Sequence, residues 1–135
     1  MPRFLNNRAL SLISAMATFA LTIPAQAGFC GNYIQTASNA GHCATCKLRI
    51  ADNPEIQKYF VTANNGWSAE LTWNHGDSST ASGSGKWKAN VGHVYANRKF
   101  DIDMNQQGRT LRMTMSTSIN GNMNVIKARY KCLGF

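Results

Sequence analysis

The C-terminal third of the chain alternates apolar and polar residues around a tight turn. Asn120-Gly121 is a strong short-range signal for a β-hairpin, because a type I′ turn needs positive φ at both central residues. A two-residue turn at this point pairs apolar residues with one another: Leu111 with Tyr130, Met113 with Ala128 and Met115 with Ile126. A shift of one residue would move all of them to the opposite face. The pattern therefore predicts an antiparallel hairpin with one apolar face.

A second turn upstream extends this hairpin. Gln107-Gly108 is a weaker turn candidate, and a two-residue turn there again matches apolar residues: Met104 with Leu111, Ile102 with Met113 and Phe100 with Met115. The two turns together predict a three-stranded antiparallel meander. Strands around Trp67 and Trp87, each with period-two alternation, are expected to extend it.

A glycine- and serine-rich stretch separates those two tryptophan strands. Residues 75–85 read His-Gly-Asp-Ser-Ser-Thr-Ala-Ser-Gly-Ser-Gly, a composition typical of a mobile loop. Trp67, Trp73 and Trp87 fall at inward positions of their strands and are expected to fill a small core. The alternative is an apolar pocket, if the sheet curls, lined by these rings and Met104, Met113 and Met115.

Residues 28–65 have a different pattern, which predicts helices. Asn53-Pro54-Glu55 combines an N-cap, a proline at the first helical position and an acid in the first turn. Residues 31–40 are expected to form another short helix. The predicted fold class is mainly β: a single antiparallel meander or half-barrel of about five strands, with a short helical, disulfide-tied N-terminal cap.

Residues 1–27 have the pattern of a removed secretory signal peptide. Arg3 and Arg8 precede a short apolar run over residues 9–23, and Ala25-Gln26-Ala27 is an A-x-A cleavage site. The run is too short to span a membrane, and no transmembrane segment is expected elsewhere. Residues 28–135 then form one small β-rich domain, secreted or periplasmic.

The four cysteines, Cys30, Cys43, Cys46 and Cys132, all follow the predicted signal. An even number in an oxidising compartment predicts two disulfides. Bridges from Cys30 and Cys132 to Cys43 and Cys46 are favoured over a local Cys43–Cys46 bridge. A redox centre and half a zinc site remain alternatives for the C-x-x-C, whereas Lys47 after the second cysteine excludes c-type haem attachment.

The predicted strands gather positive charge on the face opposite the core. The whole chain has 14 Lys and Arg against 6 Asp and Glu, and the 12 basic residues that follow the signal give a formal net charge of +6. The predicted ligand-binding residues are Arg112, Lys127, Arg129, Lys131 and Lys99. In the expected register Arg112 lies opposite Arg129 on one side and Asp103 on the other. An ordinary solvated face is the alternative to a docking surface for a polyanion.

The sequence contains no recognisable catalytic constellation. It has no nucleophile elbow, H-E-x-x-H or phosphate loop. The histidines, His42, His75 and His93, are scattered, and Asp101 and Asp103 lie among cations that would keep both ionised. We therefore expect no catalytic residues, no metal and no cofactor, and a protein that is not an enzyme.

These features favour a non-enzymatic binding protein of the cell envelope or exterior. Its expected partner is an anionic envelope component or other polyanion: lipid A or phospholipid head groups, acidic glycan or nucleic acid. One alternative is a thiol-disulfide redox protein using Cys43 and Cys46. Another is a structural or inhibitory protein that binds a partner protein through residues 75–85.

Overall fold

Eight antiparallel strands form a closed barrel in the computed structural model, which describes residues 28–74 and 77–134. The strands are β1 (Asn32–Ser38), β2 (Lys47–Asn53), β3 (Lys58–Ala63), β4 (Trp67–Asn74), β5 (Asp77–Trp87), β6 (Lys99–Gln107), β7 (Thr110–Ile119) and β8 (Asn122–Gly134). Each strand pairs with the next, and β8 pairs with β1. The mainly β, antiparallel class is confirmed, but the sheet closes fully. The predicted signal, residues 1–27, lies outside the described residues.

The hairpin of β7 and β8 has the register predicted from its turn. Asn120 and Gly121 have φ of 51° and 78°, as a type I′ turn requires. The expected apolar pairs all occur: Leu111 with Tyr130, Met113 with Ala128 and Met115 with Ile126. All six side chains are buried inside the barrel. The alternation of this segment therefore gives the correct faces for both strands.

The predicted register between β6 and β7 is wrong by two residues. Gln107 pairs with Thr110, so the central residues of the turn are Gly108 and Arg109. Gly108 has φ of 59°, which suits the first central position of a type II′ turn. The observed pairs are Met104 with Met113 and Ile102 with Met115. Because a shift of two residues keeps every side chain on its face, the apolar pattern does not distinguish the two registers.

The predicted helical cap over residues 28–65 is wrong, and three strands occupy this region. Residues 31–40, expected to be a helix, contain β1, while Pro54 to Gln57 form the turn of the β2–β3 hairpin. Proline early in a turn uses the same φ as proline at a helix start, so the two signals overlap. No described residue lies in a helix, and thus no helix within the described ranges is long and apolar enough to cross a bilayer.

The glycine- and serine-rich stretch predicted to be a loop is mostly strand β5. Its first residues, 75 and 76, lie outside the described residues, and β5 begins at Asp77. Gly85 allows the neighbouring core ring to approach, because a Cβ there would lie 2.5 Å from the Cζ of Phe100 and 2.2 Å from the carbonyl oxygen of Ser68. Small residues on this strand therefore offset large rings beside them, as small barrels require.

The cysteine pairing differs from the one predicted. Cys30 bonds to Cys132, and Cys43 bonds to Cys46. The first bridge joins residues 102 positions apart, a loop whose closure stabilises a fold by about 4–5 kcal/mol in the chain-entropy account. It connects the segment before β1 to β8, and β1 and β8 are neighbouring strands of the barrel. Both bridges are compatible with an oxidising, extracellular environment.

One end of the barrel is closed by polar and aromatic groups. The Tyr33 hydroxyl accepts a hydrogen bond from the Cys30 amide at 2.6 Å and donates one to the side-chain oxygen of Gln106. Tyr59 packs edge-on against Phe29, with ring centroids 4.9 Å apart. Gln106 also accepts from the Cys30 amide at 3.2 Å. These contacts close this end of the barrel beside the Cys30–Cys132 bridge.

Two longer loops surround the other end, which we call the mouth. The β1–β2 loop, residues 39–46, carries the Cys43–Cys46 bridge. The β5–β6 loop, residues 88–98, is held by backbone hydrogen bonds from Lys88 to Gly66 at 2.8 Å and from Asn97 to Lys88 at 3.2 Å. Val91 and Tyr95 of the β5–β6 loop pack against the core, so this loop covers part of the mouth.

The close approach at Gly85 predicts a specific loss of stability. Gly85→Ala should lower the free energy of unfolding by about 1–3 kcal/mol, because the added methyl overpacks a site bounded by backbone and a core ring. Urea unfolding at neutral pH measures the change. Ser84→Ala, at an exposed position of the same strand, is the matched control and should stay within about 0.5 kcal/mol of the parent. Equal stability of the two variants would contradict the close approach.

Candidate functional site

Four of the five predicted ligand-binding residues share one patch of the outer wall. Lys127, Arg129 and Lys131 project from β8, and Arg112 projects from β7. All four are exposed, since they alternate with the buried residues of the same strands. We call these four residues the basic strip. The strip lies on the outside of the closed barrel, where three of its four cations border an open depression.

Like charges face one another within the basic strip. Arg112 lies directly opposite Arg129, as predicted, and such a pair destabilises a sheet by about 0.2–1 kcal/mol. Within the described ranges the one ion pair is Lys58 with Glu70, elsewhere on the barrel, so no described carboxylate lies within 4.0 Å of a strip cation. The charge of the strip is therefore not neutralised by a described side chain.

The predicted position of Asp103 opposite Arg112 is wrong. The two-residue shift of β6 places Asn105 opposite Arg112 and Thr114 opposite Asp103. The Asp103 carboxylate instead accepts a hydrogen bond from the Ser82 hydroxyl at 2.7 Å, on the far side of β6. Asp103 therefore does not offset the charge of Arg112 across this pair of strands.

Lys99, the fifth predicted residue, is not part of the basic strip. It begins β6 and lies opposite Lys86 on β5. Six residues along β6 separate it from Asn105, the neighbour of Arg112, a distance of about 20 Å in a strand. Lys99 therefore belongs to a second basic group with Lys86 and Lys88, near the mouth.

The end of β1 and the residue that follows it border a depression beside the strip. Ala37, Ser38 and Asn39 line an open depression of about 580 Å³ together with Arg112, Lys127 and Arg129. Asn39 is fixed there, because its amide donates to the Lys127 carbonyl at 3.0 Å and its side-chain oxygen accepts from the Lys127 amide at 2.8 Å. The cations thus border a surface with a defined backbone.

The sequence analysis missed one cation that flanks the basic strip. Lys131 lies opposite Ile34 of β1, and Ile34 lies opposite Lys47 of β2. Lys47 is exposed on the same outer wall, two strand spacings or about 10 Å from Lys131. The alternation of Lys47 and Arg49 with Leu48 and Ile50 was a sufficient signal for this strand.

The tryptophans and the inward-facing methionines are packed in the core or against it. Trp67, Trp87, Met113 and Met115 are buried in one hydrophobic cluster, as expected for a small core, and they also border an open depression of about 390 Å³ at the mouth. Met104 is buried in the packed core, and Trp73 packs against Tyr59 at 5.3 Å between ring centroids, near the closed end. The barrel interior is therefore filled by packed side chains.

The remaining candidate groups do not form a catalytic or metal cluster in the part of the chain that the structure describes. All four cysteine sulfurs are used in disulfides. His42 and His93 are exposed, and His75 lies outside the described residues. A zinc site built from cysteine thiolates would need at least one of these bridges to open.

Comparison with known proteins gives no relative: no family model matches the chain, and neither the curated proteins nor the solved structures contain a significant match.

Burial raises the pKa of three tyrosines. Burial alone raises the pKa of Tyr130 from 10.0 to about 12. Burial, followed by the nearby charge of Asp52, raises the pKa of Tyr59 to about 12. Burial raises the pKa of Tyr33 further, although the hydrogen bond from the Cys30 amide opposes this effect. All three phenols are held neutral well above their ordinary range.

These pKa values predict a loss of stability in alkali. A phenol with a higher pKa in the folded state contributes fully below pH 10, and the contribution falls as pH rises toward 12, because the unfolded chain then binds fewer protons. Each tyrosine should lower the free energy of unfolding by at most about 1.4 kcal/mol per pH unit. Urea unfolding between pH 8 and about 12 measures the slope, and Tyr130→Phe should make it shallower. An unchanged slope would contradict the burial of this phenol.

Proposed function

We propose that the protein is a non-enzymatic binding protein that engages a phosphate- or sulfate-bearing polyanion through the basic strip. One observation carries this proposal: Arg112, Lys127, Arg129 and Lys131 lie together on adjacent strands, with Arg112 facing Arg129 and no described carboxylate within ion-pair distance. The repulsion between Arg112 and Arg129 destabilises the sheet, and an anionic partner would relieve it. A solvated face has no need of a like-charge pair at its centre.

The chemistry of the strip suits oxyanions. Arginine presents a planar set of donors that binds two oxygens of a phosphate or sulfate at once. Lys127 and Lys131 add charge on either side of Arg129 along β8, and Lys47 continues the positive surface beyond β1. A row of cations along one strand, beside an open depression, suits an extended polymer or a head-group surface better than a single small ion.

The first test removes the strip by substitution with glutamine. The triple variant Arg112→Gln, Arg129→Gln, Lys131→Gln should elute from a heparin column at lower salt than the parent. The slope of log affinity against log salt should fall by about three, about one for each cation removed. The free energy of unfolding should stay equal or rise by about 0.2–1 kcal/mol, because the repulsion between Arg112 and Arg129 is gone.

A second triple variant separates a local site from general attraction. Lys86→Gln, Lys88→Gln, Lys99→Gln removes the same charge from the group near the mouth and should keep most of the retention. If both triple variants lose retention equally, the attraction comes from net charge alone and the strip is an ordinary solvated face. Repeating the comparison with phosphatidylglycerol vesicles and with DNA distinguishes lipid head groups and nucleic acid from an acidic glycan.

A second candidate function concerns the C-x-x-C, because Cys43 and Cys46 bond to each other rather than to distant cysteines. Cys43 is half-exposed at the rim of the mouth. In this function the bridge would be reduced to two thiols while two thiols of a substrate are oxidised to a disulfide. The motif lies in a loop before β2, without the helix N-terminus that lowers the pKa of a reactive cysteine.

Non-reducing alkylation and mass spectrometry test the redox candidate. If both bridges are structural, both should stay oxidised in a glutathione buffer set to the potential of an oxidising compartment. Selective opening of Cys43–Cys46, with Cys30–Cys132 intact, would instead favour the redox function.

The third candidate, binding of a partner protein through a loop at residues 75–85, is weakened because residues 77–85 belong to strand β5. It stays a prediction that deletion or replacement of residues 75 and 76 would test.

A further inference from the structure

Strand β1 is an uncharged strand between two strands that carry cations. None of its residues is charged. Ile34, half-buried on its outer face, lies opposite Lys131 of β8 on one side and Lys47 of β2 on the other. The closure of the barrel therefore places cations on both sides of one neutral strand.

The cations beside β1 form a path that crosses it. We call the five exposed cations on the two flanking strands the cation track: Lys127, Arg129, Lys131, Lys47 and Arg49. The track follows β8 as far as Lys131 and crosses β1 at Ile34 to Lys47. Arg49 lies opposite Asn32, so β2 continues the path in the direction in which β8 began it. The whole path is about 30 Å long at the usual spacings of residues and strands.

Open depressions lie along β1 on both sides of this crossing. The first, of about 580 Å³, is bordered by Ala37 and by cations of the basic strip. The second, of about 370 Å³, is bordered by Asn32, Lys47 and Leu133. No described residue that lines either depression is an Asp or a Glu. Each half of the track therefore borders accessible space that no described carboxylate enters.

The position of the track on a closed barrel favours a flexible partner. Strands β8 and β2 lie two positions apart in a barrel of eight strands, which corresponds to about a quarter of its circumference. A flat head-group surface is poorly matched to cations distributed over such an arc. A flexible chain can follow the arc and keep its charges close to both strands.

The side chains around the track distinguish between kinds of flexible polyanion. Proteins that bind single-stranded nucleic acid stack the bases on exposed aromatic rings. The first depression has no described aromatic residue, and Tyr33 at the second is 0% exposed. Aliphatic groups are present instead, since Ile34 lies at the crossing and Leu133 is 51% exposed. Aliphatic side chains suit the C–H faces of sugar rings, which have no need of stacking.

From these observations we infer that the partner of the basic strip is a linear polysaccharide bearing sulfate or phosphate esters, which crosses from β8 to β2 along the cation track. The inference rests on the proposed function and adds Lys47 and Arg49 as binding residues. The esters pair with the cations, and sugar rings contact Ile34 and Leu133 between them.

Isothermal titration calorimetry with size-defined heparin oligosaccharides tests the track. The parent should bind a dodecasaccharide about tenfold or more tightly than a tetrasaccharide, because only the longer chain reaches both β8 and β2. In the double variant Lys47→Gln, Arg49→Gln, dodecasaccharide binding should weaken by about tenfold, and the slope of log affinity against log salt should fall by about two. Tetrasaccharide binding should change by less than about twofold, because the shorter chain needs only the basic strip.

A matched double variant removes the same charge away from the track. Lys86→Gln, Lys99→Gln changes two exposed cations on β5 and β6 and should keep dodecasaccharide affinity within about threefold of the parent. Equal losses in the two double variants would overturn the track. If Lys47→Gln, Arg49→Gln binds like the parent while Arg112→Gln, Arg129→Gln, Lys131→Gln weakens both oligosaccharides, the track fails and the basic strip stands. If neither variant weakens binding, the proposed function fails as well.

Two other polyanions test the assignment to a polysaccharide. Poly(dT) and phosphatidylglycerol vesicles should each bind the parent more weakly than the dodecasaccharide at the same salt. Their binding should change little in Lys47→Gln, Arg49→Gln, because neither follows the track across β1. A loss of poly(dT) or vesicle binding as large as the dodecasaccharide loss would overturn this assignment.

Discussion

Strand β1 pairs with strand β8, and this pairing turns a linear meander into a closed barrel. Asn39 extends it beyond the end of β1, since its side chain donates to the Val125 carbonyl at 3.1 Å and accepts from the Lys127 amide at 2.8 Å. The Cys30–Cys132 bridge fixes the other end of the same seam. Closure satisfies the edges that an open sheet would expose. It also encloses the core and joins the outer faces of β8, β1 and β2 into one wall.

The core and the basic strip use opposite faces of the same strands. Along β8, Ile126, Ala128 and Tyr130 face the interior, and the cations between them face solvent. A shift of one residue would bury the cations and expose the apolar set. Because side chains alternate along a strand, the same segment produces both an uncharged interior and a charged exterior. Repulsion between Arg112 and Arg129 is small beside the burial of the apolar residues, so the sheet tolerates it.

The sequence predicts the C-terminal hairpin correctly because the turn and the alternation there agree. Asn120-Gly121 fixes the register, and each apolar pair follows from it. The β6–β7 register fails because a two-residue shift preserves every face, and only the φ of Gly108 distinguishes the alternatives. The N-terminal helices fail because Pro54 suits a turn as well as a helix start, and because Tyr59 belongs to both an alternating and a helical apolar pattern. The strip is therefore predictable where local signals agree, whereas the position of Lys47 beside it depends on closure, which pairs residues far apart in sequence.

The central claim is that β1 closes the barrel against β8, and NMR of the oxidised protein tests it most directly. Cross-strand nuclear Overhauser effects are expected between Ile34 and Lys131 and between Ala37 and Arg129, on the two sides of the β1 bulge. The amides of Asn39 and Lys127 should exchange slowly, as members of the seam. Helical connectivities over residues 31–40, or a β1 without contacts to β8 and with rapidly exchanging amides, would contradict the closed barrel and the continuous basic surface that rests on it.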